Sequence, residues 1–272
     1  MYDGVLYGVD AVLDHLAGPR DRQSVMQARP FWLEPIAKPQ ELITPLRGPL
    51  PQVKIWHQEL EEKEQQQFFA QHNPFASLCA QFRAVARQLG DYVEQPQFPR
   101  DLFWCHTPVR AGAAQFSSHW HPDGEVLVRR KKGIVRVGPS RIEDVLRSGE
   151  DFTPAQLFLL GVLEAPTGFA VQYTQEGFAE NIFRITREYH GCDRYKVNSA
   201  TFEPWLERNG ALVQPPPGLI GFESGKLHKG MPIPEGLESR AYVICSLEYK
   251  QSALPPSFRM CSPGRKEVFD PV

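Results

Sequence analysis

Ser117-Ser118-His119-Trp120-His121-Pro122-Asp123-Gly124-Glu125 and, far along the chain, Gly221-Phe222-Glu223-Ser224-Gly225-Lys226-Leu227-His228-Lys229-Gly230 are the stretches on which the reading of this sequence turns. His121 and Asp123 stand two residues apart, so on an extended segment both side chains point to one face. His228, at the end of another apolar run, is placed to close a triad with them. Two imidazoles and one carboxylate on one face of an octahedral ion leave three positions open. That donor set suits Fe(II), which can then take a bidentate co-substrate and O₂ together.

Outward from these stretches, short strands are expected over 125–130, 133–137, 169–173, 181–189, 218–222 and 240–249, separated by Gly, Pro and Asn clusters. Helical character gathers in the first half, over 60–71 and 76–89. In the second of these, Leu78, Phe82, Val85, Ala86 and Leu89 recur at helical spacing and Gly90 sits where a cap belongs. Residues 144–149 and 153–163 also read as helices, the latter with Thr153-Pro154 as N-cap and first position. Helices followed by many short strands predict a mainly β fold with a helical buttress, a sandwich or barrel.

Bulk properties exclude several classes. A formal net charge of -2 calls for no polyanionic partner, so nucleic acid is not expected. The basic run Arg129-Arg130-Lys131-Lys132 reads as a solvated turn or as a dock for an acidic substrate. No apolar run approaches the ~18 residues of a membrane span, and Met1-Tyr2-Asp3-Gly4 does not begin a secretory signal. The 5 cysteines, Cys79, Cys105, Cys192, Cys245 and Cys261, are odd in number and hold no C-x-x-C pair. They fit neither a zinc site nor a disulfide framework, which points to the cytoplasm. Phosphate loops, nucleophile elbows and H-E-x-x-H helices are missing. The adjacent Cys105 and His106 face opposite ways on a strand and are taken as incidental.

The His-x-Asp pair, the distal His228 and Arg240 twelve residues beyond it resemble the Fe(II)/2-oxoglutarate dioxygenase superfamily. Trp120-His121-Pro122-Asp123-Gly124 is similar to the segment common in its phytanoyl-CoA dioxygenase-like branch. The resemblance runs over 104–250. It implies a double-stranded β-helix (jelly-roll) core, with His121, Asp123 and His228 as iron ligands and catalytic centre. Arg240 would bind the far carboxylate of the co-substrate 2-oxoglutarate, a role that suits its planar fork. The implied reaction hydroxylates an unactivated C–H bond of a small molecule and yields succinate and CO₂. Related halogenases carry a small residue where this chain has Asp123, so halogenation is disfavoured. His119 and Trp120 would lie around the ligands. The branch often has a serine two residues after the arginine; here that position is Tyr242. As a single oxygenase domain, the chain would divide into a helical part (1–100), the jelly-roll core (101–250) and a tail (251–272). Residues 1–100 carry no matching motif, so substrate selection is unassigned.

A competing pattern is the cupin one. His119, His121, Glu125 and His228 satisfy its His-x-His-x-x-x-Glu spacing and resemble its second motif, and would bind a metal without 2-oxoglutarate. The interval between the two stretches is long for a small cupin, Glu223 replaces its usual proline, and Arg240 is left without a role. A third reading is a jelly-roll binding module whose histidines are structural. Under the oxygenase reading the partner is a small-molecule substrate, with Arg129 to Lys132, Arg184, Arg187 and Lys229 available as a cationic rim for an anionic one.

Overall fold

The computed structural model describes residues 4–47, 75–108, 120–189, 192–259 and 268–269. The chain opens with strand β1 (Leu6–Tyr7), helices α1 (Gly8–Ala17) and α2 (Arg22–Gln27), strand β2 (Phe31–Glu34) and helices α3 (Pro39–Arg47) and α4 (Ala76–Gln88). Sheet then dominates: β3 (Leu102–Pro108), β4 (Val126–Arg130) and β5 (Gly133–Val137) precede helix α5 (Pro139–Ser148), followed by β6 (Phe152–Pro154), β7 (Gln156–Glu164) and β8 (Thr167–Ala170). Helix α6 (Gln175–Glu180), the antiparallel pair β9 (Ile182–Tyr189) and β10 (Cys192–Val197) and helix α7 (Ser199–Arg208) come next. The chain continues through β11 (Leu212–Val213), β12 (Gly218–Glu223), β13 (His228–Gly230), β14 (Ser239–Glu248) and β15 (Val268–Phe269).

Two of the sheets position the site. The larger runs β1-β2-β12-β7-β14-β3 and the smaller β11-β8-β13. Along β7 alternate residues face opposite layers, as the strand period requires. Leu157, Leu159 and Leu163 join Leu219, Val243, Cys245 and Leu247 in one core with Leu78 and Phe82 of α4. Phe158, Leu160 and Val162 join Ile220 and Phe222 in another, together with Phe169 and Val213 of the smaller sheet. The large sheet therefore carries helices on one face and the small sheet on the other. Each fully buried side chain of this kind contributes roughly 1.5–3 kcal/mol. Gly161 lets α4 come close: a Cβ there would meet a Leu78 methyl at 2.9 Å.

The expected strands over 125–130, 133–137, 169–173, 181–189, 218–222 and 240–249 all appear, with ends shifted by a few residues. Helix α4 matches the expectation over 76–89, and α5 begins earlier than 144, at Pro139 behind Gly138. It ends on Gly149 at φ 76°, the left-handed cap that glycine adopts freely. The expectation over 60–71 lies outside the described residues. The expected helix over 153–163 is corrected: these residues form the end of β6 and most of β7. Every residue from Leu157 to Leu163 is buried, so the run carries no alternation to mark it as strand. Pairing with both β12 and β14 overrides the local cap signal. The stretch 1–100 is also not purely helical, because β1 and β2 extend the large sheet.

Candidate metal centre

The two quoted stretches meet. His121 and His228 exchange main-chain hydrogen bonds, His121 N–H to His228 O at 3.0 Å and His228 N–H to His121 O at 3.1 Å, so the 120–121 segment lies antiparallel beside β13. Asp123 lies against both rings, and the chain leaves it through Gly124, at φ 72° and without room for a Cβ against the Phe158 ring (2.6 Å). Asp123 Oδ1 lies 3.3 Å from His121 Nδ1 and Oδ2 lies 3.1 Å from His228 Nε2. Among the described residues, His121, Asp123 and His228 form a group whose donor atoms all fall within 4.8 Å and could hold a metal ion.

His228 Nδ1 sits 2.9 Å from the Lys226 carbonyl, which can only accept, so Nδ1 carries the hydrogen. Nε2 of a neutral ring then presents a lone pair to a carboxylate oxygen. Two acceptors at 3.1 Å need a proton or a metal cation between them. Burial opposes a charged Asp123, but His228 and His121 outweigh it and hold the carboxyl far below its usual range. Burial likewise disfavours a charged His121, yet the hydrogen bond and charge of Asp123 win and raise it, with a further contribution from Glu143. The His228 ring stands against Phe222 and Phe169, with centroids at 4.9 Å and 5.9 Å, so one wall of the site is apolar.

Arg240 reaches from β14 across to the smaller sheet. Its guanidinium lies over Gly230, where any Cβ would collide with it, and Nη2 donates to the Met231 carbonyl. Burial lowers its pKa, partly offset by Tyr242 and Cys105. Among the described residues no carboxylate pairs with it.

The other candidates separate. Glu125 does not join the triad; it pairs with Arg136 at 2.6 Å, which also meets Glu248 at 3.3 Å. His119 lies outside the described residues. Trp120 is wholly buried and packs edge-on against Phe202, centroids 5.6 Å apart. The basic run is partly spent, with Arg129 on Asp151 (2.8 Å) and Arg130 on Glu150 (2.9 Å). Lys229 pairs with Glu203. The side chains of Arg184, Arg187 and His106 lie outside the described residues, and Cys105 is buried.

Sequence reasoning missed two polar groups near the site. Glu143 of α5 is fully buried, bonded to Lys196 at 2.9 Å with its second oxygen unpartnered. Lys226 is buried, and that burial, only partly offset by Glu223, pushes its ammonium down to about 7. A lysine set between Gly225 and Leu227, just before a candidate ligand, is the one signal that was available.

No family model and no curated protein matches the sequence. Among solved structures, iron-bound HygX from Streptomyces hygroscopicus aligns over 66% of this chain and 68% of its own, at 14% identity and a TM-score of 0.32. HygX with nickel and 2-oxoglutarate bound aligns over the same shares at 16% identity and a TM-score of 0.30. Likeness at that level leaves the functional reading to the site itself. Among the described residues no helix is long and apolar enough to cross a membrane.

Proposed function

We propose that this chain is a non-haem Fe(II)/2-oxoglutarate-dependent dioxygenase that hydroxylates an unactivated C–H bond of a small-molecule substrate, forming succinate and CO₂. The observation that carries the reading is the convergence of His228 Nε2 and Asp123 Oδ2 at 3.1 Å beside a second imidazole, with one donor atom from each of the three residues within 4.8 Å of the others. That donor set fits a divalent first-row cation with open positions. The alternation of β3, β7, β12 and β14 in one sheet with the 120–121 segment, β8, β11 and β13 in the other supports a double-stranded β-helix core. Assignment to the phytanoyl-CoA dioxygenase-like branch rests on the Trp120-to-Gly124 segment alone. The buried free thiols Cys79, Cys105 and Cys245 suit a cytoplasmic protein.

When bound at the triad, Fe(II) with 2-oxoglutarate supplies an oxidant able to take hydrogen from an unactivated C–H bond. The chain's own residues do the rest. Asp123 and the two imidazoles hold one face, while the Lys226 carbonyl fixes the His228 tautomer. Phe222 and Phe169 keep water from the His228 side. Gly230 stands two residues beyond His228, roughly 6–7 Å along a strand, and clears the space in which Arg240 lies. A guanidinium at that distance, paired with no carboxylate among the described residues, suits the far carboxylate of a five-carbon diacid. Glu125 is committed to Arg136, so the cupin ligand set loses its acid.

The test is an anaerobic titration of the Fe(II) protein with 2-oxoglutarate, read by the weak visible charge-transfer band of a chelated 2-oxo acid. The band is expected in wild type. Arg240→Ala should weaken 2-oxoglutarate binding about tenfold to more than a hundredfold, the worth of a charge-assisted bidentate contact of roughly 1.5–3 kcal/mol, with Fe(II) affinity unchanged. Arg240→Lys should recover part of it. No band in wild type, with Arg240→Ala turning over like wild type, would sink the co-substrate assignment.

A further inference from the structure

Lys226 is buried, and its side chain is spent on a helix rather than on an acid. Nζ donates to the carbonyls of Met26 at 3.2 Å and Val25 at 3.4 Å. These belong to the last turn of α2, where the Val25 carbonyl also accepts the capping Ala28 N–H at 3.3 Å and the negative end of the helix attracts a donor. The Nζ also lies 5.6 Å from the centre of the Tyr173 ring. At its other end the same residue faces the triad, since its carbonyl accepts the His228 Nδ1 hydrogen at 2.9 Å. Its neighbour Gly225 donates its N–H to the Asp123 carbonyl at 3.1 Å. The short turn before β13 thus grips the ring of one triad member and the main chain of another. Its only side-chain tether to the N-terminal helices among these contacts is Lys226. A methionine would fill an apolar slot of that length without the cost of desolvating an amine, so packing alone does not account for the lysine.

We propose that Lys226 is a positioning residue. By tying the 224–228 turn to the end of α2, it fixes the carbonyl that orients the His228 ring and so presents Nε2 to the metal. This rests on reading the triad as a metal site, and it gives the N-terminal part of the chain a role at that site. Partners one step out from a metal ligand commonly change affinity ten- to a hundredfold when lost.

The experiment uses Co(II) as the probe and the full chain. Lys226→Met should fold, by circular dichroism, and bind Co(II) about tenfold more weakly than wild type. Thr153→Val serves as the structural control: it removes a buried hydrogen bond to the Arg20 carbonyl (2.7 Å), and should lose stability while binding Co(II) like wild type. A folded Lys226→Met with wild-type Co(II) affinity overturns the proposal. A second measurement does not depend on that variant folding: in metal-free wild type the His228 Nδ1 proton should be protected from exchange by NMR, and rapid exchange overturns the proposal as well. If wild type itself binds no Co(II), the metal site fails first and this role of Lys226 falls with it, a result distinct from equal affinity in the two proteins.

Discussion

Glu223 and His228 stand five residues apart, and each anchors a buried polar cluster. Around Glu223 the cluster is closed. His15 Nε2 lies 2.7 Å from one carboxylate oxygen, Tyr249 donates its hydroxyl to the other at 2.8 Å, and Arg20 stands 3.7 Å away. The Arg20 guanidinium also covers the Tyr249 ring at 4.4 Å. Both carboxylate oxygens are matched there, with the Arg20 Nη1 near by as a charge partner and not as a hydrogen-bond donor, and the cluster joins α1 and the following loop to β12 and the end of β14. Around His228 the set is open to a cation: with Nδ1 committed to the Lys226 carbonyl, Nε2 meets the Asp123 carboxylate at 3.1 Å, where a proton or a metal ion lies between them, and among the described residues no acid pairs with Arg240. The same residue types thus build a clamp in one place and a ligand site in the other. What separates them is whether the chain supplies the complement itself. The Glu223 carboxylate has its donors within the chain, whereas the triad gathers donor atoms within 4.8 Å that an outside cation can take.

That contrast is broken most severely by removing a triad member. Asp123→Ala or His228→Ala should abolish stoichiometric Co(II) or Fe(II) binding, measured by titration calorimetry, while circular dichroism remains that of the folded protein. A variant that still binds one equivalent would mean the cluster is not the metal centre. The closed cluster should answer in the opposite way. Glu223→Leu leaves His15 and Arg20 buried without their anion and should cost about 3–5 kcal/mol in urea unfolding. At a temperature where it is still folded, its metal stoichiometry should be unchanged. Loss of metal binding without loss of stability there would erase the distinction between the two clusters.

Residue type and local period made part of this legible. His121 and Asp123 could be read as sharing a face because a strand's period is two, whereas Arg240 is reached only through the family resemblance, by its place twelve residues beyond His228. Strand β7 could not be read, because sheets on both of its edges and cores on both of its faces remove the alternation that marks a strand. The long-range partners were equally hidden. Nothing local ties Lys226 to Val25, Glu143 to Lys196, or Glu223 to His15, since each pair is made only when distant elements pack. Glu125 misled for a related reason: its spacing suits a metal ligand, but Arg136 across the β4–β5 pair claims it.

The gentlest test of the comparison is acid. Burial raises the Glu223 carboxyl, but the charge and hydrogen bond of His15, the Arg20 guanidinium and the Tyr249 hydroxyl outweigh it, so the net shift is downward. A group whose pKa is lower folded than unfolded contributes stability that is complete above the unfolded value, about 4.3 for glutamate. That stability is lost as pH falls from there through the folded value. Wild type should therefore lose stability steeply below about pH 4.3, whether or not metal is present. Tyr249→Phe removes one donor to the carboxylate, at a cost of roughly 1.5–3 kcal/mol at neutral pH, and lets the folded pKa rise toward the unfolded one. Its urea midpoint should be lower than wild type at pH 7, and the gap should narrow as pH drops, because the lost bond matters less once Glu223 is protonated. Co(II) affinity should stay at the wild-type value throughout the neutral range. A gap that widens in acid would mean that Tyr249 does not act through the ionised Glu223.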